Sequence, residues 1–252
     1  MSELVLYRNQ DGLARLTLNR PERHNALVPE LLDALADALA RAHGEAPRAL
    51  LLDANGRSFS TGGDVAGFYH TPREQRRDYA HHVVGRLNDV ILALLTLPCP
   101  TVVAVHGTVT GGSLGLVLGC DIAVAGPRAS FAPWYTVVGY SPDGGWTALM
   151  PERIGRARAL DIQLLNRRVS AEEAHRIGLV QHLVNEGEEQ DQALALARRL
   201  CRAQPSSVRH TLALTRPDPH RVRAALDDER QHFLEQIDSD EADSGMADFL
   251  AR

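Results

Sequence analysis

Apolar and polar positions change their period several times along the first half of the chain. Alternation from Ala14 to Leu18 predicts a half-buried strand, and leucines at helical spacing from Leu31 to Leu39 predict a helix that ends near Gly44. Continuous apolar segments, which are typical of buried strands, occur at 49–52, 101–105 and 122–125. Strands that alternate with helices in this way predict an α/β core built from crossover units.

The last third of the chain is predicted to be almost entirely helical. Beyond Gly155, Ser170 and Glu173 have the spacing of a helix-capping box, and Gly178 is placed to end the same helix. The acidic segment 238–248 is typical of a frayed, solvated terminus. A helical region is therefore expected to follow the α/β core.

Composition removes several classes of function. The 252 residues carry 27 cationic and 32 acidic side chains, a formal charge of −5, and every cation is an arginine. Without lysine, the chain excludes Schiff bases, pyridoxal phosphate attachment and the Walker phosphate-binding lysine. The acidic balance and the scattered arginines provide no basic surface, so we expect no nucleic acid partner.

Cysteine usage and the lengths of the apolar segments indicate the compartment. Cys99, Cys120 and Cys201 are odd in number and form no CxxC pair, which predicts neither a disulfide framework nor a zinc site. The longest apolar run, 90–97, stops at Pro98, short of the roughly 20 residues that span a bilayer. We expect a cytoplasmic protein with no membrane partner and no bound metal.

Two glycine-containing loops follow predicted buried strands, FSTGGD at 59–64 and HGTVTGGS at 106–113. Glycines allow close approach of the backbone to a ligand, and N–H groups at a helix start suit a developing oxyanion. The alternative is that Gly62-Gly63 and Gly111-Gly112 are only turn residues. Neither loop matches a dinucleotide-binding or nucleoside triphosphate motif, and spacing alone leaves the choice open.

Several motifs in one order resemble the crotonase (enoyl-CoA hydratase/isomerase) superfamily. They are RPERHNAL at 20–27, FSTGGD at 59–64, HGTVTGG at 106–112, CDIA at 120–123, SAEEA at 170–174 and IGLV at 177–180. The resemblance implies an α/β fold with a crotonase-like ββα spiral core at 1–185, and a C-terminal helical region at 186–252 for trimerisation or as a lid. It also implies an acyl-CoA substrate, no cofactor apart from that coenzyme A thioester, and a homotrimer or dimer of trimers.

The same resemblance assigns candidate site residues. The N–H groups of Gly63 and Gly112 match those that hold the thioester oxygen as it becomes an enolate. The matching CoA path comprises Arg23, His24, Ala26, Ser60, Gly62, Asp64 and Val65. A guanidinium such as that of Arg23 suits phosphate groups, whereas Asp64 equally suits a helix N-cap.

The sequence departs from the family where hydratases carry two glutamates. Alignment on the motifs places Gly115 at the first position and Tyr135 at the second. Addition of water to an alkene needs one group to activate water and another to protonate carbon, tasks for paired carboxylates. Their absence weakens a hydratase interpretation.

One carboxylate, Asp143, remains nearby in the sequence GYSPDGGW. Its place resembles that of catalytic aspartates in dienoyl-CoA isomerases and in isomerases of the phenylacetate pathway type, and of the nucleophilic aspartate in 4-chlorobenzoyl-CoA dehalogenase. The alternative is a helix N-cap. Its expected neighbours Trp134, Tyr135 and Trp146 predict a raised pKa, and we assign Trp134, Tyr135 and Pro142 to the substrate site.

The two chemistries require different helpers. The resemblance implies that a dehalogenase needs a histidine to activate water, but ungapped alignment places Asn88 there, and only a shifted helix would bring His81 or His82 into that role. Isomerisation needs one proton shuttle and an oxyanion hole. The leading hypothesis is an acyl-CoA isomerase with Asp143 as the shuttle; the alternatives are a hydratase, a hydrolase or dehalogenase that uses Asp143, and a non-catalytic acyl-CoA binder.

Overall fold

The computed structural model describes residues 3–251. The strands are β1 (Val5–Gln10), β2 (Leu13–Leu18), β3 (Ala49–Ala54), β4 (Thr101–Val105), β5 (Thr108–Thr110), β6 (Ile122–Ala125), β7 (Ser130–Ala132), β8 (Val169–Ser170) and β9 (His182–Leu183). The helices are α1 (Pro29–Glu45), α2 (Val65–His70), α3 (Arg73–Thr96), α4 (Leu114–Leu118), α5 (Tyr135–Val138), α6 (Met150–Ile154), α7 (Arg156–Leu164), α8 (Ala171–Arg176), α9 (Glu189–Cys201), α10 (Pro205–Thr215), α11 (Pro219–Gln236) and α12 (Asp240–Leu250).

Two sheets organise the core. The six-stranded sheet has the order β1-β2-β3-β4-β6-β9, parallel except for the β1–β2 hairpin. The three-stranded sheet has the order β5-β7-β8, and the chain passes from the large sheet to the small one at β4–β5 and again at β6–β7. This repeated passage confirms the α/β class and the spiral core.

The buried strands read as continuous apolar runs because both faces of the large sheet are covered. Ala49 and Leu51 face α9 together with Val102 and Val124, whereas Leu50 and Leu52 belong to the larger core on the opposite face. Helix α3 packs against α1 and α11. No helix within 3–251 combines the length and apolar character that a membrane crossing would need.

Local helix signals in the last third are largely confirmed. The Ser170 hydroxyl accepts a hydrogen bond from the Glu173 N–H at 3.2 Å at the start of α8, and Gly178 follows that helix with a φ of +85°. The second half of the expected capping box does not form, because the Glu173 carboxylate binds Arg167 instead. Two short strands, β8 and β9, interrupt the predicted helical region.

The prediction of a frayed acidic terminus is wrong. Segment 240–250 forms α12, which packs on α2 and α5 and buries Ala242 and Met246. Its Asp243 carboxylate lies 2.5 Å from the buried Arg76 guanidinium of α3. The acidic residues that suggested a solvated tail thus include one that fixes the last helix against the core.

Candidate active site

A pocket of about 220 Å³, partly open to solvent, lies where the two glycine loops meet the segment that carries Asp143. Helices α2, α3, α5, α11 and α12 supply most of its apolar wall. The apolar and aromatic lining residues are Leu27, Val65, Phe68, Val83, Leu87, Pro133, Trp134, Tyr135, Val138, Tyr140, Phe233 and Phe249. A largely apolar cavity with a few polar groups at one place is typical of a small-molecule site.

The first glycine loop is fixed by backbone pairing on both sides. Leu27 forms an isolated parallel bridge with Gly63, made by the Gly62 carbonyl and the Asp64 N–H. That pairing leaves the Gly63 N–H outside the bridge. Gly62 has a φ of +78°, and a Cβ there would lie 2.5 Å from the Thr110 carbonyl oxygen, so only glycine permits the approach of the two loops.

The second loop turns directly from β5 into a single 3-10 turn, Gly111–Ser113. The Ser113 hydroxyl accepts from the Thr110 N–H at 3.2 Å and donates to the Ser60 carbonyl at 3.1 Å, which joins the two loops. Gly112 stands at the start of the helical turn, where N–H groups have no intrahelical acceptor. Gly63 and Gly112, the two residues expected to act as donors, therefore both line one pocket.

Asp143 lies against the second loop. A Cβ built on Gly112 would be 2.9 Å from Asp143 Oδ1 and 2.7 Å from a methyl of Leu87. The carboxylate is buried and accepts a hydrogen bond from the Tyr135 hydroxyl at 2.5 Å. The Asp143 carboxylate and the Gly112 backbone are thus next to each other in the pocket.

The surroundings tune this carboxyl group. Burial raises the pKa of Asp143 from 3.8 to about 7; the Tyr135 hydrogen bond opposes that change, and the charge of Glu229 adds to it. Burial and the adjacent Asp143 raise the pKa of Tyr135 well above its usual range, so Tyr135 stays a neutral donor. A carboxyl group with a pKa near neutrality can both accept and return a proton.

Neither position at which hydratases of the family carry a glutamate holds one here. Gly115 is buried in α4, and a Cβ there would lie 2.5 Å from the Gly144 carbonyl oxygen and would also clash with the Ile91 side chain. Tyr135, at the second position, directs its hydroxyl at Asp143. The alternative of a helix N-cap at Asp143 is not what the structure shows, since turns follow Asp143 and the next helix begins only at Met150.

The expected CoA path begins at the loop before α1. Arg23 is about half exposed and its guanidinium lies 3.6 Å from Asp64 Oδ2, with Arg20 at 3.9 Å from the same oxygen. Asp64 is also the N-cap of α2 and accepts from the Gly67 N–H at 3.4 Å. A partly neutralised, exposed guanidinium at the edge of the first glycine loop is suited to phosphate.

The remaining candidates divide between ligand contact and support. Val65 lines the pocket, His24 is exposed, and Ala26 is buried. The fully buried Ser60 hydroxyl donates to the Asn25 carbonyl at 2.7 Å, which shapes the loop from within. Pro142 is partly buried beside Asp143 but does not line the pocket.

The histidines considered as helpers point elsewhere. His81 and His82 are exposed on α3, whose pocket-lining residues are Val83 and Leu87. Asn88 is buried, and its amide donates to the Leu226 carbonyl of α11 at 2.9 Å. Among the pocket-lining residues that the structure describes, none is a histidine and Asp143 is the one carboxylate.

Sequence reasoning did not identify several contributors from the C-terminal helices. Phe233 of α11 and Phe249 of α12 close the apolar end of the pocket, and Phe249 packs edge-on against Trp134 at 5.8 Å between ring centroids. The indole N–H of Trp146 donates to the Gly111 carbonyl at 2.8 Å, and Glu229 of α11 binds the turn after Asp143. Phenylalanines and a glutamate at helical spacing carry no local signal of such roles.

Two glycine loops meet one carboxylate at an apolar pocket, an arrangement typical of enzymes that act on acyl groups. Comparison with known proteins agrees with this class. Residues 8–252 match the family described as enoyl-CoA hydratase/isomerase, and the chain belongs to this family. It is 34% identical to the 1,2-epoxyphenylacetyl-CoA isomerase of Escherichia coli K12 over 255 aligned positions, covering 100% of this chain and 97% of that protein.

Other relatives represent different chemistries. A 4-chlorobenzoyl coenzyme A dehalogenase of Arthrobacter is 31% identical over 194 positions, which cover 77% of this chain and 70% of the relative. The crystal structure of an enoyl-CoA hydratase/isomerase from Pseudoalteromonas atlantica superposes with a TM-score of 0.87 at 32% identity, covering 98% and 97% of the two chains. Membership of the family indicates an acyl-CoA substrate. It leaves the reaction open, because these relatives catalyse different reactions.

Proposed function

We propose that this protein is an acyl-CoA isomerase that moves a double bond through a thioester enolate, with Asp143 as the single proton shuttle. One observation carries the proposal: the Asp143 carboxyl group lies beside the Gly112 oxyanion donor in a pocket where both expected glutamate positions are filled otherwise. The pKa of about 7 supports a group that takes and returns a proton near neutral pH.

The reaction balances without a co-reactant. The Asp143 carboxylate removes a proton from the carbon next to the activated system, and the C–H electron pair moves toward the thioester carbonyl to form an enolate. The Gly63 and Gly112 N–H groups bind the enolate oxygen, an interaction worth about 3 to 4 kcal/mol for each well-aimed donor. Asp143 then returns the proton to a different carbon, which shifts the double bond and restores the carboxylate.

Substrate binding divides between the two ends of the site. The exposed guanidinium of Arg23 is proposed to contact CoA phosphates at the mouth, while the aromatic and aliphatic wall takes the acyl group. The relationship to an epoxyphenylacetyl-CoA isomerase supports the isomerase class for this chain. We also propose a homotrimeric assembly and a boundary at 185/186 between the core and the C-terminal region.

The rival activities find less support at this pocket. Hydration would need a second carboxylate, and the space at Gly115 does not admit one. Hydrolytic dehalogenation would need a base to activate water, and no histidine lines the pocket within the described residues. Asp143 would then have to serve alone in both steps.

The test is ¹H NMR in D₂O with cis-3-enoyl-CoA and trans-2-enoyl-CoA, run with the wild-type protein and with Asp143→Asn. We expect double-bond migration or deuterium uptake at carbon, reduced by about 10²- to 10⁴-fold in the variant. Incorporation of ¹⁸O from labelled water into product would indicate hydration or hydrolysis instead. Binding of both esters without exchange or turnover would indicate a non-catalytic binder.

A further inference from the structure

Glu229 is a buried carboxylate that binds one short turn of backbone. It lies on α11, is 4% exposed, and accepts four hydrogen bonds. Its Oε2 accepts from the Gly145 N–H at 2.8 Å, and its Oε1 accepts from the Thr147 N–H at 2.6 Å, the Thr147 hydroxyl at 2.7 Å and the Ala148 N–H at 2.9 Å. Four donors offset the cost of removing a carboxylate from water.

The turn that Glu229 holds connects the two halves of the catalytic geometry. It follows Asp143 directly, and a Cβ on Gly144 would lie 2.5 Å from the Gly112 Cα, so the turn packs on the oxyanion loop. Within the same turn, Trp146 donates to the Gly111 carbonyl at 2.8 Å. A carboxylate more than 80 residues away in sequence therefore holds the backbone between the proton shuttle and the oxyanion donor.

Glu229 also acts on Asp143 through space. Its negative charge raises the pKa of Asp143, second to burial among the causes that raise it. The other titratable groups near Asp143 are Tyr135 of α5, which donates to it, and Tyr140 of the following loop; Arg168 lies elsewhere on the pocket wall. Among the described residues, Glu229 is the charged group that shifts the pKa of Asp143 through space.

The hydrogen bonds decide which carboxyl group ionises first. Burial raises the pKa of Glu229 as well, but its four donors all favour the charged form, whereas Asp143 has one side-chain donor, Tyr135, and one backbone hydrogen bond, from its own residue. Two carboxyl groups whose surroundings differ in this way take different protonation states at one pH. Glu229 thus has more hydrogen-bond donors that favour its charged form than Asp143 has.

We propose that Glu229 is a positioning residue of this site, which holds the turn after Asp143 and acts on Asp143 as a fixed buried negative charge. The inference rests on the proposed function only for the meaning of Asp143 as the proton shuttle. The coupling between the two carboxyl groups is a property of the protein without substrate.

The experiment separates charge from position with two substitutions at one site. Glu229→Gln keeps the side-chain length and removes the charge, whereas Glu229→Asp keeps the charge and shortens the reach. Glu235→Gln, an exposed glutamate on the same helix, is the matched control. The readout is ¹³C NMR titration of aspartate labelled at the side-chain carboxyl, with the Asp143 signal assigned from its loss in Asp143→Asn.

In Glu229→Gln we expect the Asp143 titration midpoint to fall by about one unit, the size of effect that a nearby charge produces. Glu229→Asp should keep the midpoint and lower turnover about tenfold, because the turn is no longer held in place. The control should change neither. An unchanged midpoint in a folded Glu229→Gln protein overturns the proposal, and so does full turnover in Glu229→Asp.

If Glu229→Gln does not fold, titration of the wild-type protein still tests the proposal. Glutamate labelled at its side-chain carboxyl, with the signal assigned from Glu229→Asp, must then show Glu229 ionising at lower pH than Asp143; the opposite order overturns the proposal. Because these titrations need no substrate, they remain valid if no enoyl-CoA is turned over. Absence of turnover would count against the proposed function and leave the coupling of the two carboxyl groups to be judged separately.

Discussion

Replacement of Asp143 by asparagine should stabilise the protein at alkaline pH while it removes the proposed proton shuttle. The pKa of Asp143 is about 7 in the folded protein, against the ordinary value of 3.8 expected for the unfolded chain. The folded state therefore holds this proton more tightly, and its stabilising effect is complete below pH of about 4 and lost as the pH rises to about 7. A difference of roughly three units corresponds to about 4 kcal/mol.

Asparagine keeps an oxygen that can accept the Tyr135 hydrogen bond, and it does not ionise. At pH 8 we expect the free energy of unfolding of Asp143→Asn to exceed that of the wild type by up to about 4 kcal/mol. At pH 5 this difference should be smaller by about 2.5 kcal/mol. Urea unfolding followed by far-ultraviolet circular dichroism at one protein concentration measures both values. Asp78→Asn, on the exposed side of α3, is the control, with a change below about 0.5 kcal/mol at either pH.

The comparison between pH values is the decisive part of this measurement. A stability difference between Asp143→Asn and the wild type that is the same at pH 5 and pH 8 would refute the raised pKa. If the wild-type protein were more stable than Asp143→Asn at pH 8, the sign of the stability difference would be reversed. That result would refute the argument that burial disfavours the charged form of Asp143.

Three further substitutions test separate parts of the site. Gly112→Ala keeps the backbone N–H but places a methyl group against the Asp143 carboxylate, and it should lower kcat/KM at least about 100-fold, whereas Gly44→Ala, in open space on α1, should leave turnover unchanged. An unchanged rate in Gly112→Ala would contradict the need for close approach of Asp143 to this loop. Tyr135→Phe removes a hydrogen bond that lowers the pKa of Asp143, so the acid limb of the kcat/KM profile should move up by about one unit, and a shift to lower pH would contradict this role. Phe249→Ala should weaken enoyl-CoA binding about tenfold or more in calorimetry and leave free CoA unaffected, and an equal loss for both ligands would place Phe249 outside the acyl site.

The sequence predicted the parts of this fold that rest on local pattern. Apolar runs such as Leu50 to Leu52 identify strands because both faces of the large sheet are covered. Strand β1 was missed because it lies at a sheet edge with half of its residues exposed, which leaves no apolar run. Helix α12 was missed because its acidic face is on the outside, and its attachment to Arg76 spans most of the chain.

The site shows the same division between local and distant determinants. Paired glycines after buried strands left open whether the two loops were turns or part of a site. The resemblance to a family assigned Gly63 and Gly112 as candidate oxyanion donors and led to Asp143 from the positions that lacked glutamate. Glu229 could not be found in this way, because in the sequence LDDERQHF it is one of several charged residues on a helix. Glu229 differs from its neighbours in that it binds backbone N–H groups. Because nearly every residue type has a backbone N–H group, the sequence does not indicate which residues bind it.

The tight packing of Gly115 has an evolutionary consequence. A change from glycine to glutamate at that position would meet the Ile91 side chain and the carbonyl of Gly144, which belongs to the turn beside Asp143. A second carboxylate at position 115 would therefore require both a smaller residue at 91 and a displaced turn, and either change alone would disturb the packing around Asp143. Position 115 is therefore coupled to two neighbours and resists single substitutions, whereas the aromatic side chains that line the pocket lie outside this contact, so we expect changes in substrate preference to arise there one substitution at a time.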